Sequence, residues 1–350
     1  MSYRIIGRSR MIKKPGSQPE IRKDPLNSRW VIISKERAKR PNAWIRMESK
    51  TLDHVCPFCP GNEIETPPEV FSIRKSGTNA NEPGWSIRVI SNKYPALRIE
   101  VEASLITNQM YQKIGGVGAH EVLIETPNHD MDITNMSLEH IANIFWVLRE
   151  RYEDLKKDHR FKYIMIFKNH GRLAGSSVDH PHIQIIAIPL IPKSVAEELE
   201  GARLHYREHK RCIFCDMIDN ELNISSRLVM ETEHFVTIEP FAARTPYETW
   251  ILPKIHQSRF EEIRPFERID LAKILKNTLY AINESLGKPA FNLILHTSPQ
   301  TDSDFPEYHW HLEIIPKLMN FAGFEMGTGF YINPVPPEEA ADVLRDASFK

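Results

Sequence analysis

The most constraining feature of this chain is an ordered pattern that occurs twice along it. The first pass runs through CPFC at 56–59, ETPNH ending at His129, a stretch of helical periodicity, the apolar run YIMIFKN, and then His180-Pro-His182-Ile-Gln184. The second runs through CIFC at 212–215, LPKIH ending at His256, another helical stretch, FNLILHT, and then His309-Trp-His311-Leu-Glu313. His129 to His180 is 51 residues (180 − 129) and His256 to His309 is 53 (309 − 256). The Cys-to-His intervals differ more, 70 against 41 (129 − 59 and 256 − 215), a difference that a loop insertion absorbs. Five elements recurring in one order point to internal duplication, the usual source of such self-similarity.

The stretches between the motifs fix the fold class. Leu138, Ile141, Phe145, Leu148 and Tyr152 recur at spacings of three and four, one face of an amphipathic helix, with Ser137 as its N-cap. Leu271, Ile274, Leu275, Leu279 and Ile282 repeat the spacing. Strand-like runs follow at 163–167 and 291–295, and each His-x-His leads into another that ends at proline, IQIIAIP and LEIIP. The pattern predicts an α+β fold of two tandem units, 1–195 and 196–350, each a mainly antiparallel sheet with one long helix on a face. A charge-rich linker is expected over 196–211, and a short amphipathic helix through Val343 and Leu344 in the tail.

Bulk properties narrow the partners. With 45 basic and 46 acidic residues the net charge is −1, so no global field draws nucleic acid or an anionic membrane. Anionic substrates must be held locally, and the densest basic stretch is Arg37, Lys39, Arg40. No run approaches 18 apolar residues, which predicts no membrane span, and the basic N-terminus lacks the apolar core of a secretory signal. A cytoplasmic location is expected. There the four cysteines, arranged as two CxxC pairs, suggest metal or redox chemistry rather than disulfides.

A tetrahedral zinc site needs four N or S ligands, and a CxxC supplies two thiolates from one turn. Cys56, Cys59, His129 and His180 form one candidate set, and Cys212, Cys215, His256 and His309 form its counterpart. With all four positions filled by protein, both would be structural. The remaining histidine of the first motif, His182, is the candidate nucleophile. A neutral imidazole attacks phosphorus well near pH 7, and a covalent intermediate divides one difficult displacement into two easier ones. On a strand, 180, 182 and 184 share a face, so the Gln184 amide would stand near His182 and could donate to a phosphoryl oxygen. The loop from Gly171 through Gly175 to Ser177 feeds into that strand and is small enough for backbone N–H groups to approach phosphate. Glu313 takes the place of Gln184 in the second motif. Its carboxylate would repel an incoming phosphate by roughly 1 kcal/mol at 4 Å even in water, so transfer at His311 is disfavoured.

HPHIQ following FKNHGRLAGSS resembles the active-site segment of galactose-1-phosphate uridylyltransferases, members of the histidine-triad superfamily. The likeness extends to RKDPLNSRWVIISKERAKRP, CPFCPGNE, VISNKYPAL, ETPNHD, PFAARTPYETWILPKIH and GFEMGTGFYINP. The same stretches resemble the plant-type ADP-glucose phosphorylase branch, which shares the doubled CxxC. The resemblance implies two histidine-triad-like units and exchange of UMP between UDP-glucose and galactose 1-phosphate through a nucleotidyl-His182, with Gln184 assisting. It implies substrate contacts from Arg37, Arg40, Asn92, Asn169, Gly175, Ser177 and Glu325, a zinc on the first Cys/His set, and a homodimer with shared sites. Two departures stand out. Some members carry iron on a Glu and three His, and the matching positions are Glu198, His296, His311 and Glu313, so the second metal is expected as zinc on the Cys/His set or iron on this one. MNFAGFE replaces the Lys-Phe of many uridylyltransferases near the tail. An ADP-sugar or dinucleoside-polyphosphate phosphorylase, and a non-catalytic zinc-stabilised nucleotide binder, are the competing functions.

Overall fold

The computed structural model describes residues 19–39, 55–108, 110–301 and 303–348. In chain order the first half contains strands β1 (Glu20–Lys23), β2 (Trp30–Ile33), β3 (Glu69–Arg74), β4 (Trp85–Ser91), β5 (Leu105–Asn108), β6 (Tyr111–Ile114) and β7 (Ala119–Ile124). Helix α1 (Leu138–Leu155) and strands β8 (Tyr163–His170) and β9 (His182–Ile188) complete it. Helices α2 (Lys193–His209) and α3 (Ile213–Ile224) lead into β10 (Leu228–Glu231), β11 (Phe235–Ile238) and β12 (Thr249–Pro253). Then come α4 (Pro265–Leu286), β13 (Phe291–His296), β14 (His311–Pro316), α5 (Gly323–Thr328), β15 (Tyr331–Asn333) and α6 (Pro337–Ala347).

The main strands of the two halves do not form two sheets, as the sequence suggests, but share one. Ten strands run in the order β10-β11-β12-β14-β13-β8-β9-β7-β4-β3, all antiparallel, with the halves joined where β8 pairs with β13. The physical reason lies in those two strands. Both are apolar, and an exposed apolar edge is a liability that pairing removes. Register repeats between the halves. Gln184 stands between Val122 and Phe167, and Glu313 stands between Trp250 and Ile294. A three-stranded sheet, β1-β2-β15, brings together the beginning and end of the described chain, and β5 and β6 form a separate hairpin.

Helices α1 and α4 cover one face of the large sheet. Ser137 caps α1, its hydroxyl accepting the His140 N–H at 3.2 Å. Phe145, Leu148, Leu271 and Leu275 from the helices meet Ile183 and Ile185 from β9 in one apolar cluster. Each such side chain contributes about 1.5–3 kcal/mol by leaving water. Leu138, expected on the apolar face of α1, is instead 36% exposed, as the first residue of a helix often is. The expected linker at 196–211 is most of α2. Val195, Leu199 and Ala202 recur at spacings of four and three and are buried, so a narrow apolar stripe outweighs the surrounding charge. In the tail helix Leu344 is buried while Val343 lies at the margin, 40% exposed. None of the described helices is long and apolar enough to cross a membrane.

Candidate active site

Because side chains alternate along a strand, covering one sheet face with helices leaves His182 and Gln184 of β9 on the other. His182 opens β9 and is only 6% exposed. Its Nδ1 lies 2.8 Å from the His180 carbonyl, an acceptor, so Nδ1 carries the proton and Nε2 the lone pair. Burial is the main cause of its pKa falling to about 4; the His180 carbonyl opposes the fall and the Lys168 charge adds to it. The imidazole is therefore neutral at pH 7. Phe58, from the CxxC turn, meets its ring edge-on with centroids 5.5 Å apart.

Upstream, β8 ends in the Gly/Ser loop, which needs left-handed backbone at Gly171 (φ 79°) and Gly175 (φ 89°). A side chain at Gly171 would also meet the Ala290 Cβ at 2.9 Å. Gly175 and Ser177 are exposed. Asn169 is held by Asn292 of the second half, whose Nδ2 donates to its Oδ1 at 2.8 Å. Asn92 lies beside His120, which touches Gln184 (2.9 Å). His182, Gln184, Asn92, Asn169 and the Gly/Ser loop therefore gather around neighbouring strands.

Arg37 and Glu325 do not join them. Arg37 is exposed on a short 3-10 turn after β2, and Glu325 accepts the Ala322 N–H at 2.9 Å, capping its own helix α5. Both flank the three-stranded sheet, and among the described residues no hydrogen bond or ion pair links them to the His182 group. Arg40 lies outside the described residues.

His180 precedes β9, which begins at His182, and its ring nitrogen faces the thiols. Its Nδ1 is 3.7 Å from Cys56 Sγ and 3.6 Å from Cys59 Sγ, while His129 Nδ1 is 3.5 Å from Cys59 Sγ. The second set is built alike, with Cys215 Sγ 3.5 Å from His256 Nδ1 and 3.6 Å from His309 Nδ1. Four ligands around a tetrahedral ion, with bonds of about 2.3 Å to sulfur and 2.0–2.1 Å to nitrogen, leave S···N edges of about 3.6 Å. Both sets fit. The outer partners fit too. His180 Nε2–H donates to the Thr126 carbonyl (2.7 Å) and His309 Nε2–H to that of Pro253 (2.9 Å), so each Nδ1 keeps its lone pair for a metal.

The second-half counterpart of His182 is closed off. His311 is fully buried between the stacked rings of His296 (4.6 Å) and Trp250 (5.0 Å). Glu313 is gripped by Arg244 at 2.8 and 2.9 Å. Burial opposes charging His296, yet Glu198 (3.2 Å) and Glu313 (3.3 Å) on its two sides raise its pKa to about 10. Glu198, His296 and His311 also form a third group whose ligand atoms could share a metal.

Two features escaped the motif reading. Lys168 and Glu125 form a buried ion pair at 2.5 Å, with Lys168 Nζ 3.4 Å from the His182 carbonyl. Charged residues inside the apolar runs IFKN and LIET were the available signal. His120, with no motif around it, was the other. Replacing Lys168 with Met leaves the Glu125 carboxylate buried and unpaired, a loss of about 3–5 kcal/mol. Urea denaturation should show that loss, and Lys168→Met with Glu125→Gln should recover much of it. A single variant as stable as the parent would mean that the pair contributes nothing.

A neutral imidazole with its lone pair free, an amide two residues along the strand and a Gly/Ser loop beside them are the equipment of nucleotidyltransferases. The comparisons identify the family. Residues 11–192 match the N-terminal domain of galactose-1-phosphate uridyl transferase, and residues 126–348 match a domain of unknown function. The chain is 38% identical over 340 residues to ADP-glucose phosphorylase of Arabidopsis thaliana, covering 94% of this chain and 93% of that one. It is 32% identical over 336 residues to galactose-1-phosphate uridylyltransferase of Thermotoga maritima, covering 93% and 98%. Among solved structures, the Arabidopsis ADP-glucose phosphorylase with bound ADP-glucose superposes with a TM-score of 0.81 at 37% identity, covering 95% and 100%. The chain belongs to the galactose-1-phosphate uridylyltransferase family.

Proposed function

We propose that this enzyme moves a nucleoside monophosphate from a nucleoside diphosphate sugar to a second phosphate-bearing acceptor through a covalent nucleotidyl-His182. The observation that carries the reading is the His182 tautomer, with Nδ1–H tied to the His180 carbonyl and Nε2 left as the nucleophile. Nε2 attacks the α-phosphorus, an N–P bond forms, and the P–O bond to the sugar phosphate breaks with its electron pair leaving on that oxygen. The acceptor phosphate oxygen then attacks the same phosphorus, a new P–O bond forms, and the N–P bond breaks with its electron pair returning to Nε2, which restores neutral His182. Gln184 donates an amide N–H to the charge developing on the phosphoryl oxygens, without ionising. Asn92, Asn169, Gly175 and Ser177 hold nucleotide and phosphates. Arg37, Arg40 and Glu325 serve the site of a partner copy in a homodimer, which accounts for the placement of Arg37 and Glu325 beside the three-stranded sheet.

The metals are zinc, one on each Cys/His set, because four N/S donors at tetrahedral spacing favour it. The ions hold the CxxC turns to the ends of the histidine strands. Matching register in the halves supports duplication of one ancestral unit, with 1–195 keeping catalysis and 196–350 the tail. The enzyme works in the cytoplasm.

One pair of substrates is UDP-glucose with galactose 1-phosphate. The higher identity to the Arabidopsis phosphorylase favours a second pair, ADP-glucose with inorganic phosphate. Intact-mass measurement after incubation with each nucleotide sugar, without acceptor, separates them. A UMP adduct discharged by galactose 1-phosphate supports the first pair, and an AMP adduct discharged by phosphate the second. No adduct with either sugar would sink the covalent mechanism.

A further inference from the structure

His120 lies on β7 opposite Ile186, and so on the same sheet face as Gln184, one diagonal step along the neighbouring strand. Both of its ring nitrogens are engaged. Nδ1 accepts the backbone N–H of Ala96 at 3.3 Å, and Nε2 stands 2.9 Å from Gln184 Oε1. A neutral imidazole has one lone pair and one N–H. The Ala96 amide can only donate, so it puts the lone pair on Nδ1 and the proton on Nε2. We propose that His120 is a positioning residue, whose Nε2–H holds the Gln184 oxygen and leaves the Gln184 amino group for the phosphoryl oxygens at His182. The inference rests on the nucleotidyl-His182 reading.

A second amide beside this imidazole is oriented by backbone contacts rather than by the ring. The Asn92 backbone N–H donates to the His120 carbonyl at 2.8 Å, and Asn92 Oδ1 accepts the Tyr94 N–H at 2.8 Å. The Asn92 amino group therefore faces His120 Nε2, at 3.1 Å. Because that nitrogen's proton is already directed at Gln184, the Asn92 amino hydrogens find no acceptor there and remain for substrate. The closed half supplies the contrast. Glu248 directly precedes β12 and occupies the register position of His120, two residues before Trp250 as His120 is two before Val122. There Arg244 bridges Glu248 and Glu313 as an ion pair. One half thus has a neutral relay that presents N–H groups to an anion, and the other has a self-satisfied charge cluster.

Without His120, the Gln184 amide is free to turn over and offer its oxygen to the phosphate. His120→Phe keeps the ring and removes both nitrogens. It should slow single-turnover formation of the nucleotidyl enzyme roughly 10–100-fold, the range seen when a partner that orients a working group is lost, with little change in nucleotide-sugar binding. His120→Gln carries an amide donor to about the Nε2 position and should restore most of the rate, whereas His120→Asn, too short to reach, should not. In a Gln184→Ala background, His120→Phe should cause no further loss, which a merely structural role would not produce. Equal losses in both backgrounds, or Gln performing no better than Asn at 120, would overturn the proposal even if His120→Phe folds poorly. A wild-type enzyme that forms no adduct removes the covalent reading and this inference together. An adduct formed equally fast by wild type and His120→Phe removes this inference alone.

Discussion

His182→Ala is expected to abolish nucleotidyl transfer while the protein remains folded. Removal of a covalent nucleophile costs several orders of magnitude in rate. A 10⁴-fold fall corresponds to about 5.5 kcal/mol of barrier. The cost to folding is smaller. His182 gives up one hydrogen bond to a backbone carbonyl, about 1 kcal/mol, and an edge contact with Phe58. Activity should therefore vanish with only a modest drop in melting temperature. A purified variant with more than a few per cent of the parent turnover would sink the assignment. Peptide mapping of the wild-type adduct gives the complementary result, with the label on the peptide containing His182. Recovery on the peptide containing His311 would reverse the roles of the halves. The stacked rings on His311 and the Arg244–Glu313 pair make that outcome unexpected.

Much of this site was legible in the sequence because its signals are local. Two thiols in a CxxC, two histidines bracketing a proline and an amide two residues on are spacings that any strand or turn preserves. The helix caps and apolar stripes are local too, which is why Ser137 and the Leu271–Ile282 face were readable. The junction of β8 with β13 was not. Periodicity reports which face of a strand is buried and says nothing about which strand will cover its edge. The role of α2 was hidden for a related reason. Its stripe contains only Val195, Leu199 and Ala202, and the fourth buried position is Glu198, whose carboxylate is held by His296 and Tyr308. Periodicity reads such a glutamate as surface; only the family resemblance, which sets Glu198 beside His296, gave it another meaning, and its burial depends on partners 98 and 110 residues away. His120 was missed because its meaning depends on Ala96 and Gln184, neither of which it adjoins in sequence.

Cys59→Ser and Cys212→Ser should both destabilise the protein, yet only the first should directly disturb chemistry. Structural zinc contributes an apparent 10–16 kcal/mol in small domains, as much as the whole net stability of many proteins, roughly 5–15 kcal/mol. Losing even a few kcal/mol lowers the melting temperature by roughly 10 °C, at about 2–4 °C per kcal/mol for a domain of this size. Elemental analysis of the parent should find two zinc ions per chain, falling toward one in each variant. One zinc and one iron would instead assign the second metal to Glu198, His296 and His311. The functional difference follows from how His180 is used. Its Nδ1 faces the thiols, its Nε2 is held by Thr126, and its carbonyl accepts the His182 Nδ1–H. Freed from Cys59, the His180 backbone can shift, and the His182 tautomer loses the acceptor that fixes it. The second set makes the matching connection to His311, whose Nδ1–H donates to the His309 carbonyl at 3.1 Å, and His311 is not the proposed nucleophile. At a temperature where all three proteins are folded, Cys59→Ser should form the nucleotidyl enzyme much more slowly than the parent, and Cys212→Ser at nearly the parent rate. Equal rates for the two variants would mean that the first metal set supports the fold without positioning the nucleophile.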